Sequence, residues 1–290
     1  MSENFEQLDN RLSFEWKDFS LTYTKYEGKK KGQLIILIGG WTSAPGYWNR
    51  NLPFFQSKAD VVILDLVGHF PGTISDSLSH LEFQDFLEAQ SRAILHIAGK
   101  KKPILVGHST GGMASLGAAS LFPDRISKVI AIAPVVFGPV VGLFKTAILL
   151  HRVRLGFLFE LGFQATQLSE TFLEQGFSRG VYDSKKFFDM PGMKEYMIQY
   201  FPYFKRLSGR NMNMILDMLD RADLRPMMIN YQTPTLLIRS LSDPIVPPIN
   251  SEHLTSEHSC IKEVLFNQSG HFVQLEEQEE FERVVSKFIT

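Results

Sequence analysis

The chain has 290 residues, with 30 basic and 31 acidic side chains and a single cysteine, Cys260. The near-balanced charge excludes a general nucleic-acid binder or an acidic tail. One cysteine excludes a disulfide framework and fits a reducing compartment, so a cytoplasmic location is expected, and a chain this long buries roughly three quarters of its unfolded surface without a disulfide or metal staple.

The opening "MSENFEQLDN" is polar and acidic, and no apolar signal core follows it. Residues 12–28, "LSFEWKDFSLTYTKYEG", alternate as an antiparallel hairpin does. Five apolar, β-branched runs then predict strands: "LIILIGG" (34–40), "VVILDLVG" (61–68), "PILVGH" (103–108), "KVIAIAP" (128–134) and "PTLLIRS" (234–240). They are apolar throughout, the habit of parallel strands buried on both faces. Between the second and third, residues 81–98 place Leu81, Phe86, Leu87, Ile94 and Leu95 near one helical stripe. A second helix is predicted after Ser109, and a third closes the chain at "EEQEEFERVVSKFI". Strands alternating with helices predict an α/β fold with a mostly parallel central sheet flanked by helices and right-handed crossovers.

The alternation breaks between about Val136 and Tyr231, where Phe and Met are dense and the spacing is helical. This predicts a helical cap over 136–230, inserted before the last two strands of a core made of 1–135 and 231–290. The longest uncharged run, from Lys128 to Lys145, is broken by Pro134 and Pro139. It is too short for a transmembrane helix of about 20 apolar residues. The lysine clusters "EGKKKG" (27–32) and "GKKKP" (99–103) immediately precede strands and read as solvated turns at the sheet's N-terminal edge.

Gly107-His108-Ser109-Thr110-Gly111 matches the G-x-S-x-G nucleophile elbow. Side chains flanking so tight a strand-to-helix turn would collide, which accounts for Gly107 and Gly111. A serine hydroxyl is a poor nucleophile until a base takes its proton. Of the eight histidines, His108 is expected to point away on the strained turn. His69, His80, His96 and His151 read as surface or packing residues. His253 and His258 are five apart, which puts their rings roughly 140° apart on a helix, a solvated helix rather than a ligand pair. His271, in "NQSGHFVQLEEQEEF", follows the apolar run "KEVLF" and precedes the last helix. Catalytic residues of such sheets gather in loops at strand C-termini, so His271 is the expected base. Asp243, in the loop after strand 234–240, is the expected orienting acid; Asp124 belongs to a far-side loop, and Asp217, Asp220 and Asp223 to the cap. Two backbone N–H groups should hold an oxyanion, from Thr110 and from Trp41 after Gly39-Gly40.

These motifs resemble the α/β-hydrolase superfamily in its capped, esterase- and lipase-like form. The likeness rests on "LIGGW" with Trp48, "LDLVGH", "GHSTGG", "LSDPIVP" and "SGHFVQLEEQEEF", and it covers nearly the whole chain. The chain order Ser109, Asp243, His271 is the one such a fold implies. Two features depart from the family: Gly39-Gly40 stands where it usually has His-Gly, and its D-x-x-G-x-G-x-S turn starts as Asp65, Gly68, His69 and then diverges. Serine at the elbow separates the chain from haloalkane dehalogenases and epoxide hydrolases, which carry aspartate there, and from dienelactone-type hydrolases, which carry cysteine.

The resemblance implies a serine esterase acting through an acyl-enzyme on a small-molecule ester, with no metal or organic cofactor. The apolar cap points to a hydrophobic substrate. The same triad supports carbon–carbon bond hydrolysis, thioester hydrolysis or perhydrolysis, and the same fold supports a ligand receptor with little turnover.

Overall fold

The computed structural model describes residues 10–139, 145–153 and 155–290. Most of the acidic opening stretch, and residues 140–144 and 154 of the expected cap, lie outside them.

The β-branched runs pair into a sheet of nine strands among the described residues. They are β1 (Leu12–Trp16), β2 (Phe19–Tyr26), β3 (Leu34–Ile38), β4 (Asp60–Leu64), β5 (Thr73–Ile74), β6 (Ile104–His108), β7 (Lys128–Ile132), β8 (Thr235–Ser240) and β9 (Ile261–Phe266). The spatial order is β1-β2-β4-β3-β6-β7-β8-β9, with β5 paired to β2. The hairpin β1–β2 joins antiparallel, and every pairing from β4 to β9 is parallel. β3 and β6 are buried along their whole length, as continuous apolar runs in a covered parallel sheet must be. The edge strand β9 keeps a mixed pattern, its Lys262 and Leu265 exposed.

The chain order reverses at β3, which lies between β4 and β6. Connections leave such a point in opposite directions and open a crevice beyond the strands' C-terminal ends. Gly39-Gly40 leaves β3 there and Ser109 leaves β6, so topology alone brings the two loops together.

Helix α1 (Leu52–Gln56) precedes β4, α2 (Phe83–Ala98) covers the sheet, and α3 (Thr110–Leu121) packs between α2 and the strands β6 and β7. Buried almost all round, α3 is built of Gly, Ala and Ser where it meets its neighbours. Helices α4 (Lys145–Arg152), α5 (Gly156–Thr166), α6 (Glu170–Ser178), α7 (Ser184–Phe188), α8 (Met193–Phe204) and α9 (Gly209–Arg221) fill the interval between β7 and β8. Ser169, Asp183 and Ser208 cap three of them by accepting a backbone N–H. Entry and exit of this segment are stitched together: Gly138 N–H donates to the Ala222 carbonyl (2.8 Å) and Leu224 N–H to that of Val136 (2.9 Å).

After β8 come α10 (His253–Glu257), α11 (Val273–Glu276) and α12 (Gln278–Ile289). The predicted closing helix is α12, and Glu277 leaves helical geometry (φ −123°, ψ 52°) to separate it from the short α11. One expectation changes here. His253 and His258 do not share a solvated helix: α10 is barely one turn long, and His258 lies beyond it, buried against Tyr231. Among the described residues no helix is long and apolar enough to cross a membrane.

Candidate active site

At the end of β6 the chain turns so sharply that Ser109 takes φ 54°, ψ −117°, a region other side chains avoid. Its N–H donates to the Ile132 carbonyl of β7 (2.8 Å), which pins the turn. A methyl on Gly107 would overlap the Gly111 carbonyl, and one on Gly111 would overlap the carbonyls of Ile38 and Gly39. Both positions therefore exclude a side chain, and the turn presents Ser109 Oγ to the crevice. Ser109 Oγ is without a hydrogen bond to the described residues in this conformation.

The loops after β8 and β9 meet beside it. Asp243 Oδ2 accepts from His271 Nδ1 at 2.7 Å, with both side chains buried. Asp243 Oδ1 accepts two further N–H groups, from Ile245 (2.8 Å) and Val246 (2.9 Å). Both carboxylate oxygens are thus occupied as acceptors, which fixes the His271 ring with Nε2 directed away from the acid.

Residues given no role by the sequence hold these loops. Glu276 Oε1 accepts from Gly270 N–H (2.9 Å) and Phe272 N–H (3.2 Å), one on each side of His271, while Oε2 accepts from Tyr182 N–H (2.7 Å) in the α6–α7 connection. Burial pushes the Glu276 carboxyl above its usual range, and these three N–H groups oppose that shift. His271 N–H itself donates to the Gly180 carbonyl (2.6 Å).

His108 does not point out of the site. Its ring lies 4.5 Å from that of His271, centroid to centroid, and Nε2 donates to the His271 carbonyl (2.9 Å). Nδ1 must then accept, and it does so from Tyr47 Oη (2.8 Å), which in turn accepts from Gln274 Nε2 (2.8 Å). Burial first, and then His271, hold His108 well below the ordinary histidine range, so it is a neutral spacer.

His69 is fully buried and more than packing. Its Nδ1 donates to the Val67 carbonyl and its Nε2 accepts from Thr42 N–H, both at 3.1 Å. Burial lowers its pKa to about 4. Thr42, at φ 66°, ends the Gly39-Gly40-Trp41 loop. From the other side Tyr200 Oη donates to the Thr42 carbonyl (3.1 Å) and Trp41 Nε1 to the Met212 carbonyl (3.0 Å). The loop is held from below by the core and from above by α8 and α9. The sequence places His69 among surface or packing residues and at the point where a family turn diverges; its position after Gly68 was the available signal.

Ser109, His271, Gly40 and Trp41 share a cavity of about 360 Å³, walled chiefly by aromatic side chains of α5, α6 and α8. A smaller cavity of about 60 Å³ also opens at Ser109, lined by Thr110 and by Leu216 and Leu219 of α9. Among the described residues no three His, Cys, Asp or Glu side chains cluster as metal ligands would.

The alpha/beta hydrolase fold family model matches residues 33–278. Mouse epoxide hydrolase 4 is 34% identical over 119 residues, 40% of this chain and 32% of that protein. The chain thus matches about a third of that relative's length. A 2-hydroxy-6-oxononadienedioate/2-hydroxy-6-oxononatrienedioate hydrolase of Comamonas testosteroni is 25% identical over 268 residues, 89% of this chain and 88% of that one. A probable hydrolytic enzyme of Pseudomonas aeruginosa superposes with a TM-score of 0.74 at 19% identity, over 99% of this chain and 96% of that one.

Proposed function

The chain belongs to the alpha/beta hydrolase family, and from that premise we propose that it is a serine hydrolase cleaving a carboxylic ester with an apolar group through an acyl-enzyme. The observation that carries this reading is the strained Ser109 turn opening into the same cavity as a His271 ring already paired with Asp243.

Ser109 Oγ gives its proton to His271 Nε2 and attacks the carbonyl carbon. The resulting oxyanion takes the N–H groups of Trp41 and Thr110, and losing one such donor would cost about 3 kcal/mol of transition-state stabilisation. Asp243 stabilises the imidazolium through Nδ1–H. The C–O bond then breaks, and the alcohol leaves with the proton from Nε2. Water repeats the sequence on the acyl-enzyme, with His271 again as base, and releases the acid. The helical segment 136–230 acts as a cap, its aromatic inner face excluding water from these steps.

The test is turnover of p-nitrophenyl esters by the wild type and Ser109→Ala, together with labelling by a fluorophosphonate. Wild-type turnover and labelling, with a loss of at least a thousandfold in the variant, are expected. An unlabelled wild type with no turnover would remove the reading.

A second reading, hydrolysis of a carbon–carbon bond beside a ketone, draws on the likeness to the Comamonas hydrolase along nearly the whole chain. Turnover of a 2-hydroxy-6-oxo-dienoate in preference to any ester would favour it.

A further inference from the structure

Ser109 stands where two cavities of unequal size meet. Trp41 and Ile245 border both, His271 borders only the larger, and Thr110 borders only the smaller. We propose that the enzyme divides its ester at this point, taking a short acyl group in the small lobe and a bulky, ring-bearing alcohol or phenol in the large one. The inference rests on the serine-hydrolase reading and specifies the substrate for that same site.

The assignment follows from where the proton must go. In the tetrahedral intermediate the carbonyl carbon carries Ser109 Oγ, the oxyanion, the leaving oxygen and the acyl chain. The oxyanion is committed to the Trp41 and Thr110 N–H groups. The leaving oxygen must take a proton from His271 Nε2 as its bond to carbon breaks, so the alcohol lies on the His271 side, in the larger lobe. The acyl chain, the remaining substituent, is directed away from His271, past Thr110, into the smaller lobe.

Volume then sets the chemistry. The small lobe holds about 60 Å³ against about 360 Å³ in the large one. It therefore accepts a short acyl tail and not a long one. Val135, Phe137, Leu216, Leu219 and Val246 line most of it, with Thr110 and Asn250 the polar exceptions beside Ser109, so the tail is apolar. The large lobe, about 360 Å³, is walled by Phe159, Phe163, Phe177, Tyr200, Phe204 and Phe272. Rings packed against rings gain geometry-dependent attraction beyond their area, which favours an aryl or polycyclic alcohol over a linear one.

Two matched series test this: 2-naphthylmethyl acetate, butyrate, octanoate and decanoate, and the methyl esters of the same acids, both of which expel an alkoxide. kcat/KM is expected to fall at least tenfold from 2-naphthylmethyl butyrate to octanoate, and every methyl ester should be slower than 2-naphthylmethyl acetate. Leu219→Ala should raise the octanoate-to-acetate ratio at least fivefold, and the wild-type series decides the question even where that variant does not fold. Rates that climb with acyl length, or methyl decanoate outpacing 2-naphthylmethyl acetate, would overturn the assignment while leaving the serine mechanism intact. No hydrolysis in either series, with Ser109 unlabelled by fluorophosphonate, would overturn the mechanism and this inference with it.

Discussion

His69 shows how much a single buried side chain can carry. It must stay neutral, since Nε2 accepts from Thr42 N–H and burial lowers its pKa to about 4. In the unfolded chain the same ring titrates near 6.5. Between these values the unfolded state binds the proton and the folded state does not, so stability is full above about pH 6.5 and falls as pH drops toward about 4. A shift of this size corresponds to about 3 kcal/mol. Urea denaturation at pH 7.5 and 4.5 should show that loss, and His69→Asn should flatten it. Part of the slope should remain, because burial also lowers the pKa of His108. Since Thr42 ends the loop that presents Trp41 N–H, His69→Ala should also reduce kcat about tenfold with KM little changed, a fraction of the loss of a whole oxyanion donor. Steady-state kinetics at pH 8 will separate this effect from stability.

At the scale of elements, the site depends on close approaches between α3 and β3 and on the short turn of α11. Gly111→Ala would drive a methyl into the Ile38 and Gly39 carbonyls, where backbone cannot yield as a side chain can. The cost should reach about 3 kcal/mol, read as a drop in Tm of several degrees. Glu276, the last residue of α11, uses both oxygens as acceptors for three N–H groups. A glutamine offers only one acceptor oxygen and turns two N–H donors toward another donor. Glu276→Gln should therefore release either the His271 loop or the Tyr182 connection. Loss of a hydrogen bond to a charged group costs about 1.5–3 kcal/mol. We expect kcat to fall about tenfold with a smaller change in KM, whereas a purely global effect would lower Tm and leave the kcat of the folded fraction unchanged.

Across the whole molecule, the helical segment and the core meet through hydrogen bonds at the site itself. Tyr196 Oη donates to the Tyr47 carbonyl (3.0 Å), Tyr200 Oη to that of Thr42 (3.1 Å), and Asn211 Nδ2 to that of Gly68 (3.1 Å). The loops that present Trp41 and His271 in the proposed mechanism are thus bonded to this segment, the second through His271 N–H and the Gly180 carbonyl, so movement of the segment would disturb catalysis as well as access. Tyr196→Phe with Tyr200→Phe removes two of these bonds, at about 1 kcal/mol each. Hydrogen exchange should accelerate in α5 to α8 while β3 and β6 stay protected, and KM for an apolar ester should rise. Uniform acceleration across both regions would show that the seam does not open separately.

The sequence by itself determined most of the strands, their parallel sheet and the family, because β-branched runs and Gly-Ser-Gly punctuation act through backbone sterics over a few residues; the two-residue β5 gave no such signal. Ser109, Asp243 and His271 could be proposed from the sequence for the same reason: each sits one short loop beyond a strand. The tertiary structure alone decided what surrounds them. His108 reaches the His271 carbonyl across 163 positions and His69 meets Thr42 across 27, and no local period encodes such contacts. The same holds for Glu276 closing on Tyr182 and for the burial of His258. The unequal cavities at Ser109 belong to this class too, for their volumes arise from how α5, α6 and α9 pack over the sheet, a property of the assembled chain that no single segment carries.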